Sequence, residues 1–245
     1  MQAIILAAGY ATRLFPLTKD FPKALLSVGG KPMLDHLVEA LDRIEDVKAI
    51  HVVSNSRFYP HFERWAAKHH VRKLRIWDDG TSEDGTKLGA IGDMDFVRRN
   101  AGIAEDCLVV AGDNLLMIDY GDFCREFARR RAPLLLCQRQ ESLEILRRFA
   151  VAKVDGDNRL LELVEKPKDP QSDLAVFALY LYPAKTLALL PEYLSTGNSP
   201  DSPGHFPEWL LREKRGELYA YITDAPCFDI GTHESLRMVR ELYGQ

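Results

Sequence analysis

Cysteine is scarce: Cys107, Cys124, Cys137 and Cys227 are widely spaced and form no CxxC pair. That pattern excludes a zinc knuckle and a disulfide framework, and the four read as buried, reduced thiols in or beside strands. An excess of either charge is also missing. The 32 Lys+Arg stand against 36 Asp+Glu for a net charge of −4, which leaves no electrostatic footprint for nucleic acid and no acidic tail. No apolar run reaches the ~20 residues of a membrane span, because the richest, Leu174 to Leu190, is broken by Pro183 and Lys185. The N-terminus has no basic leader and meets Gly9 too early for a signal peptide, so it is expected to be the first strand of a cytoplasmic protein. HExxH, GxSxG, an EF-hand loop and the Walker GxxxxGK[ST] are all absent, which argues against metalloprotease, serine-hydrolase and P-loop chemistry.

What is present suits one sizeable core: 245 residues, 46% of them hydrophobic. Strand-like runs at Ala3–Ala8, Ala49–Val53, Leu74–Trp77 and Cys107–Ala111 alternate with helical periodicity at Pro32–Ile44, Phe58–His70, Leu88–Arg99 and Gly121–Arg131. Such a βαβα series predicts an α/β fold, a Rossmann-like, mostly parallel sheet flanked by helices on both faces. After Arg131 the strands become close-set, at Leu134–Cys137, Ala150–Val154, Leu160–Val164, Val176–Tyr182 and Glu217–Ile222. Asp155-Gly156-Asp157-Asn158 supplies hairpin-turn chemistry between two of them. A short helix is expected at Thr186–Leu190, a loop from Ser195 to Pro207, and a closing helix over Glu234–Tyr243. One domain over residues 1–245 is expected, with a parallel half (1–131) and a mixed, hairpin-rich half (132–245).

Ligands of open α/β sheets bind beyond the carboxyl ends of strands, and four segments there carry unusual polar chemistry. Leu6-Ala7-Ala8-Gly9-Tyr10-Ala11-Thr12-Arg13 has small residues that admit an anion close to the backbone and an arginine to grip it. Phe21-Pro22-Lys23 adds a second cation. Gly112-Asp113 places a carboxylate where it can hold a divalent metal or cap a turn. Glu165-Lys166-Pro167 can be a solvated turn or a binding segment. In Asp229-Ile230-Gly231-Thr232, Thr232 can cap the last helix with Ser235 in its first turn.

The ordered string LAAGYATRLFPLTKDFPKALLSVGGKPML resembles the signature of the sugar-1-phosphate nucleotidyltransferases, nearest the glucose-1-phosphate thymidylyltransferase branch. The resemblance implies the nucleotide-diphospho-sugar transferase fold, with the first half binding nucleotide and the second binding sugar phosphate. It assigns Leu6, Ala8, Gly9, Ala11 and Thr12, with Asp79 and Gly89, to the nucleotide. Arg13 and Lys23 would be the catalytic cations, and Gly112, Glu165, Lys166 and Tyr180 would meet the sugar phosphate. Asp113 and Asp229 would hold a catalytic Mg²⁺. The chain departs from the family at Ala11, usually glycine, where alanine fits without strain if φ is negative. It also has Ala178 in place of a glycine, and the acidic stretch Asp78 to Asp84 where the family reads the base.

The reaction implied is attack by a sugar 1-phosphate on the α-phosphorus of a nucleoside triphosphate, with UTP or dTTP favoured. One alternative is CMP transfer to phosphocholine or a similar phospho-alcohol, for which Tyr180, Tyr182 and Trp209 would offer an aromatic cage. Another is a sugar-nucleotide sensor without catalysis. No hexapeptide repeat is expected to follow the last helix, neither nucleic acid nor membrane is an expected partner, and a homodimer is the default assembly.

Overall fold

Runs of Val, Ile and Leu that are apolar at every position need cover on both faces, which is what crossover helices give a parallel sheet. In the computed structural model, which describes residues 1–214 and 216–244, β1 (Gln2–Leu6) is followed by a short ribbon, β2 (Ser27–Val28) with β3 (Lys31–Pro32). Then come α1 (Met33–Asp42), β4 (Ile50–Ser54), α2 (Tyr59–Ala66), β5 (Leu74–Asp78), α3 (Gly89–Asn100), β6 (Cys107–Ala111), β7 (Asn114–Leu116) and α4 (Tyr120–Arg130). The second half holds β8 (Leu134–Arg139), α5 (Leu143–Leu146), β9 (Ala150–Val154), β10 (Leu160–Glu165) and β11 (Leu174–Tyr182). It closes with α6 (Ala184–Leu187), α7 (Leu190–Ser195), α8 (His205–Glu213), β12 (Tyr219–Thr223), β13 (Cys227–Asp229) and α9 (His233–Leu242).

The main sheet runs β10-β9-β11-β6-β1-β4-β5, with β8 beside β11 and β12 beside β8. β6, β1, β4 and β5 are parallel, and β11 turns the order by pairing antiparallel with β6, β8 and β9. The expected mixed α/β sheet with helices on both faces is therefore observed. Strand alternation divides its core in two. Ala3 and Ile5 join one cluster with Leu37, Leu41 and Phe123, from α1 and α4. Ile4 joins the other with Ile91, Met94 and Phe206, from α3 and α8. A one-residue slip of β1 would exchange these faces. The turn after β9 forms as its chemistry demands: Asn158 takes φ +61° and its N–H donates to Asp155 O at 3.1 Å.

Two segments differ from expectation. The loop foreseen from Ser195 to Pro207 ends at Gly204, because Phe206 and Trp209 bury one face of α8. Pro207 is tolerated there since it lies in the first turn, where no intrahelical donor is lost. The helix foreseen at Thr186–Leu190 splits into α6 and α7, the second opening with Pro191 in its first turn.

A polar chain crosses the amino ends of β1 and β4. Trp77 Nε1 donates to His51 Nδ1 at 2.9 Å, so His51 Nε2 carries the proton that Gln2 Oε1 accepts at 2.7 Å. Gln2 Nε2 donates in turn to Glu105 at 3.0 Å. This arrangement needs a neutral imidazole, and burial, helped by Arg75, holds its pKa down at about 4. A depressed histidine stabilises the fold above its unfolded pKa of about 6.5, and that stability, ~3 kcal/mol, is lost as pH falls through the folded value. Melting temperature should therefore drop between about pH 6.5 and pH 4, and His51→Gln should flatten that part of the profile. An unchanged slope in the variant would assign the loss to other groups.

Candidate active site

At the carboxyl ends of β1 and β6 lies a pocket of about 440 Å³. The two strands must close tightly here. Gly112 N donates to Leu6 O at 2.8 Å, and a Cβ on Gly112 would sit 3.1 Å from that same oxygen. Beyond β1 the chain turns sharply, held by Asn55 Nδ2 donating to Ala8 O at 2.7 Å and by Thr18 Oγ1 donating to Ala11 O, also at 2.7 Å. Leu6, Ala8, Gly9, Ala11, Thr12 and Arg13 all line the pocket. The turn places Ala11 in the left-handed region, φ +49°. The condition for a strain-free alanine is thus not met: Ala11 takes this backbone just before the Thr12–Leu14 turn, where Leu14 N donates to Ala11 O.

Asp113 and Asp229 are 116 positions apart in sequence but adjacent in space. β13 pairs antiparallel with β7, setting Asp229 opposite Asn114, and Ile230 N donates to Asp113 O at 3.0 Å. Lys23, in a single turn after extended Pro22, donates to Asp113 Oδ2. Burial pushes the Asp229 pKa up to about 6, and Asp113 adds to the rise, while Lys23, Arg148 and Arg13 oppose it. Burial also works against the Lys23 ammonium, but Asp113 and Asp229 outweigh it and leave its pKa raised. Two carboxylates in need of positive charge, with hard oxygen donors, fit a cation such as Mg²⁺, which takes one or two carboxylates and completes its shell with water and phosphate. Among the described residues no group of three or more His, Cys, Asp or Glu is arranged to cage a metal.

The other expected residues divide. Gly89 opens α3 and lines the pocket; its φ is +77°, and a Cβ would fall 2.6 Å from Pro200 O. Asp79 is not in the pocket wall: it is buried behind it, with Oδ1 accepting from Thr81 N at 2.7 Å. Glu165 and Lys166 close β10 but face the loop after α7, where Lys166 Nζ donates to Ser202 Oγ at 2.6 Å and Glu165 packs on Gly204. Lys166 holds φ +48°. Tyr180 is the clear correction. It is 2% exposed and stacks on Tyr182 within the core, 5.8 Å between centroids, so it does not reach the pocket. Tyr182 and Trp209 are core residues as well, so these three aromatics form no cage.

The structure adds pocket residues that the sequence patterns did not single out. Lys87 lies between Asp84 and Asp201, 3.4 and 3.5 Å from their carboxylates, and all three line the pocket. Asp93, one turn into α3, lines it too. The only sequence signal for Asp93 was an acid at a position where the helix's apolar stripe falters. At the far end Thr232 caps α9 in a capping box with Ser235, which leaves Asp229 out of the capping.

The sequence matches the nucleotidyl transferase family over residues 2–245. A Sulfolobus acidocaldarius protein provisionally named as a mannose-1-phosphate guanyltransferase is 33% identical over 190 residues, or 76% of this chain and 50% of the relative. The chain therefore spans about half the length of that curated relative. A UTP–glucose-1-phosphate uridylyltransferase of Haloferax volcanii is 28% identical over 182 residues, covering 74% of this chain and 72% of its own. Among solved structures, a Bacillus anthracis protein provisionally named as a glucose-1-phosphate thymidylyltransferase, in complex with sucrose, superposes with a TM-score of 0.80 at 26% identity. That match covers 99% of this chain and 95% of the other.

The left-handed Ala11 generates a stability prediction. Ala11→Gly should gain ~0.5 kcal/mol, the relief of strain being partly offset by glycine's larger unfolded-state entropy. Ala11→Val, β-branched at positive φ, should lose ~1–2 kcal/mol. Urea titration of the two variants checks both signs.

Proposed function

This chain belongs to the nucleotidyl transferase family, and from that premise we propose that it joins a nucleoside triphosphate to a sugar 1-phosphate, giving a nucleoside diphosphate sugar and pyrophosphate. The observation that carries the reading is the meeting of Arg13, Lys23, Asp113 and Asp229 on one pocket whose wall is the small-residue turn after β1.

An oxygen of the sugar phosphate attacks the α-phosphorus in line, forming an O–P bond as the bond to the β-phosphate oxygen breaks and pyrophosphate leaves. The nucleophile is already an anion, so no general base is required. The barrier is the approach of two anions and the charge that gathers on the α-phosphoryl oxygens and the leaving group; positioned cations lower it. In this reading Arg13 holds the β- and γ-phosphates, Lys23 spans the α-phosphate and the incoming phosphate, and Lys166 leaves Ser202 to hold the sugar phosphate. Glu165 accepts from sugar hydroxyls. Asp113 and Asp229 would hold Mg²⁺, which when bound supplies charge neutralisation at the phosphates. UTP or dTTP is the favoured nucleotide.

Pyrophosphate release in Mg²⁺ over a grid of nucleoside triphosphates against sugar 1-phosphates, phosphocholine and phosphoethanolamine tests the reading. One sugar column should give the peak. Release only with a phospho-alcohol would replace the acceptor, and no release from folded, nucleotide-binding protein would favour a sensor. Asp113→Asn and Lys23→Ala should each lower turnover by ~10²-fold or more with far-UV circular dichroism unchanged. Near-normal turnover in either would remove that residue from the mechanism.

A further inference from the structure

β1 and β6 point their carboxyl ends at the candidate active site, but a second cavity, of about 270 Å³, opens where β8 and β12 begin and β11 ends. β8 runs the same way as β6, since both pair antiparallel with β11, so this is the opposite edge of the sheet. The two cavities share no lining residue. Pro133, Leu189, Leu210 and Leu218 give the second one apolar walls, and Leu210 and Leu218 are buried.

Among the described residues, the charged side chains that line it are Arg130, Arg131, Lys185, Lys214 and Glu217. Three of these already have partners. Arg130 meets Glu126 at 2.8 Å and lies 4.3 Å from the centre of the Tyr219 ring, Lys214 pairs with Glu192, and Glu217 meets Arg159 at 3.4 Å. Arg131 and Lys185 are exposed and make no ion pair or side-chain hydrogen bond among the described residues. Lone surface cations are ordinary, but Arg131 stands in left-handed backbone, φ +55°, at the carboxyl cap of α4. Glycine is the usual residue there, and a Cβ strains the chain. Nor does the helix end need this charge, because Arg129 and Arg130 already stand in its last turn. A strained position is thus given to a cation without a partner among the described residues, at the edge of a cavity, which points to a ligand. Thr186, buried in the same wall, has a hydroxyl that makes no hydrogen bond among the described residues either.

We propose that this cavity is a second ligand site, taking a phosphate monoester with a small apolar body. Two uncompensated cations call for a dianion, and a phosphate monoester carries about −1.5 to −2 at pH 7, where a carboxylate carries a single charge. The planar fork of Arg131 suits two phosphate oxygens, while Lys185 serves as a point charge and the Thr186 hydroxyl as a further donor. The apolar body leaves water for the leucine and proline walls. At about 270 Å³, against about 440 Å³ for the other pocket, the site suits a molecule smaller than the nucleotide proposed there.

Phenyl phosphate, titrated into the whole chain and followed in ¹H–¹⁵N amide spectra, tests the site. The amides of Ala132 and Thr186 should shift saturably. Those of Gly9 and Arg13 report any phosphate taken by the other pocket, which keeps the two sites apart. In a double variant, Arg131→Gly with Lys185→Ala, the shifts at Ala132 and Thr186 should need about tenfold more ligand or beyond. The same variant should melt no lower than the wild type, since glycine relieves the left-handed backbone. Benzoate keeps the ring with one charge, and inorganic phosphate keeps the charge without the ring; each should bind about tenfold more weakly than phenyl phosphate. No shift at Ala132 and Thr186, or equal affinity in the double variant, overturns the site. Benzoate binding as tightly as phenyl phosphate overturns the dianion, and inorganic phosphate doing so overturns the apolar body.

Discussion

The pairing of β13 with β7 is the constraint on which the candidate site depends. It is only three residue pairs long, yet with the Ile230 N–Asp113 O hydrogen bond it brings Asp229 from the end of the chain beside Asp113. Those two carboxylates are then held together against their repulsion by Lys23, which must arrive from the loop after β1. β1 can deliver that loop only because it lies between β4 and β6, in a register set by the inward and outward alternation of Ala3, Ile4 and Ile5. A local repulsion of like charges is thus sustained by long-range packing, a cost that natural folds accept at sites that handle ions.

Strain is distributed in the same region. Ala11 and Lys166 both hold left-handed backbone, and both belong to segments that the family resemblance assigned to phosphate and sugar phosphate. Neither conformation is demanded by the residue type. A hydrogen bond meets each segment, Thr18 Oγ1 to Ala11 O in one and Lys166 N to Phe149 O in the other. Backbone held this way changes little when a ligand arrives, which keeps the reorganisation cost of binding low.

Much of the fold was legible in the sequence because the strands are long apolar runs with clear turn chemistry between them. β6 and β9 appear with the bounds their hydrophobic residues mark, Cys107–Ala111 and Ala150–Val154. α8 was hidden because its aromatic face follows directly on a Pro- and Gly-rich stretch that reads as loop. In the site, the residues of contiguous motifs were found from their pattern, and the pocket does collect Gly9, Arg13, Lys23, Asp113 and Asp229. Those that failed to reach it did so for reasons no local pattern carries. Tyr180 alternates inward on β11, and only the three-dimensional packing of α8 decides that inward there means core. Asp93 escaped notice for the converse reason: within a helix, an acid on the buried face looks like a flaw in amphipathicity until its surroundings are known.

The contact between Gly89 and Pro200 bears on how this protein could be redesigned. The loop after α7 carries Asp201, which lines the pocket, and Ser202, which meets Lys166, and it is a natural segment to randomise when the pocket is to be altered. Its backbone is not free to move, however. Ile91 N donates to Pro200 O at 2.9 Å, and Gly89 leaves that carbonyl no room for even a methyl group. A library that inserts or deletes residues in this loop would therefore also shift the first turn of α3. One that varies only the side chains at positions 201 and 202 would change what meets Lys87 and Lys166 while leaving the backbone of that turn in place.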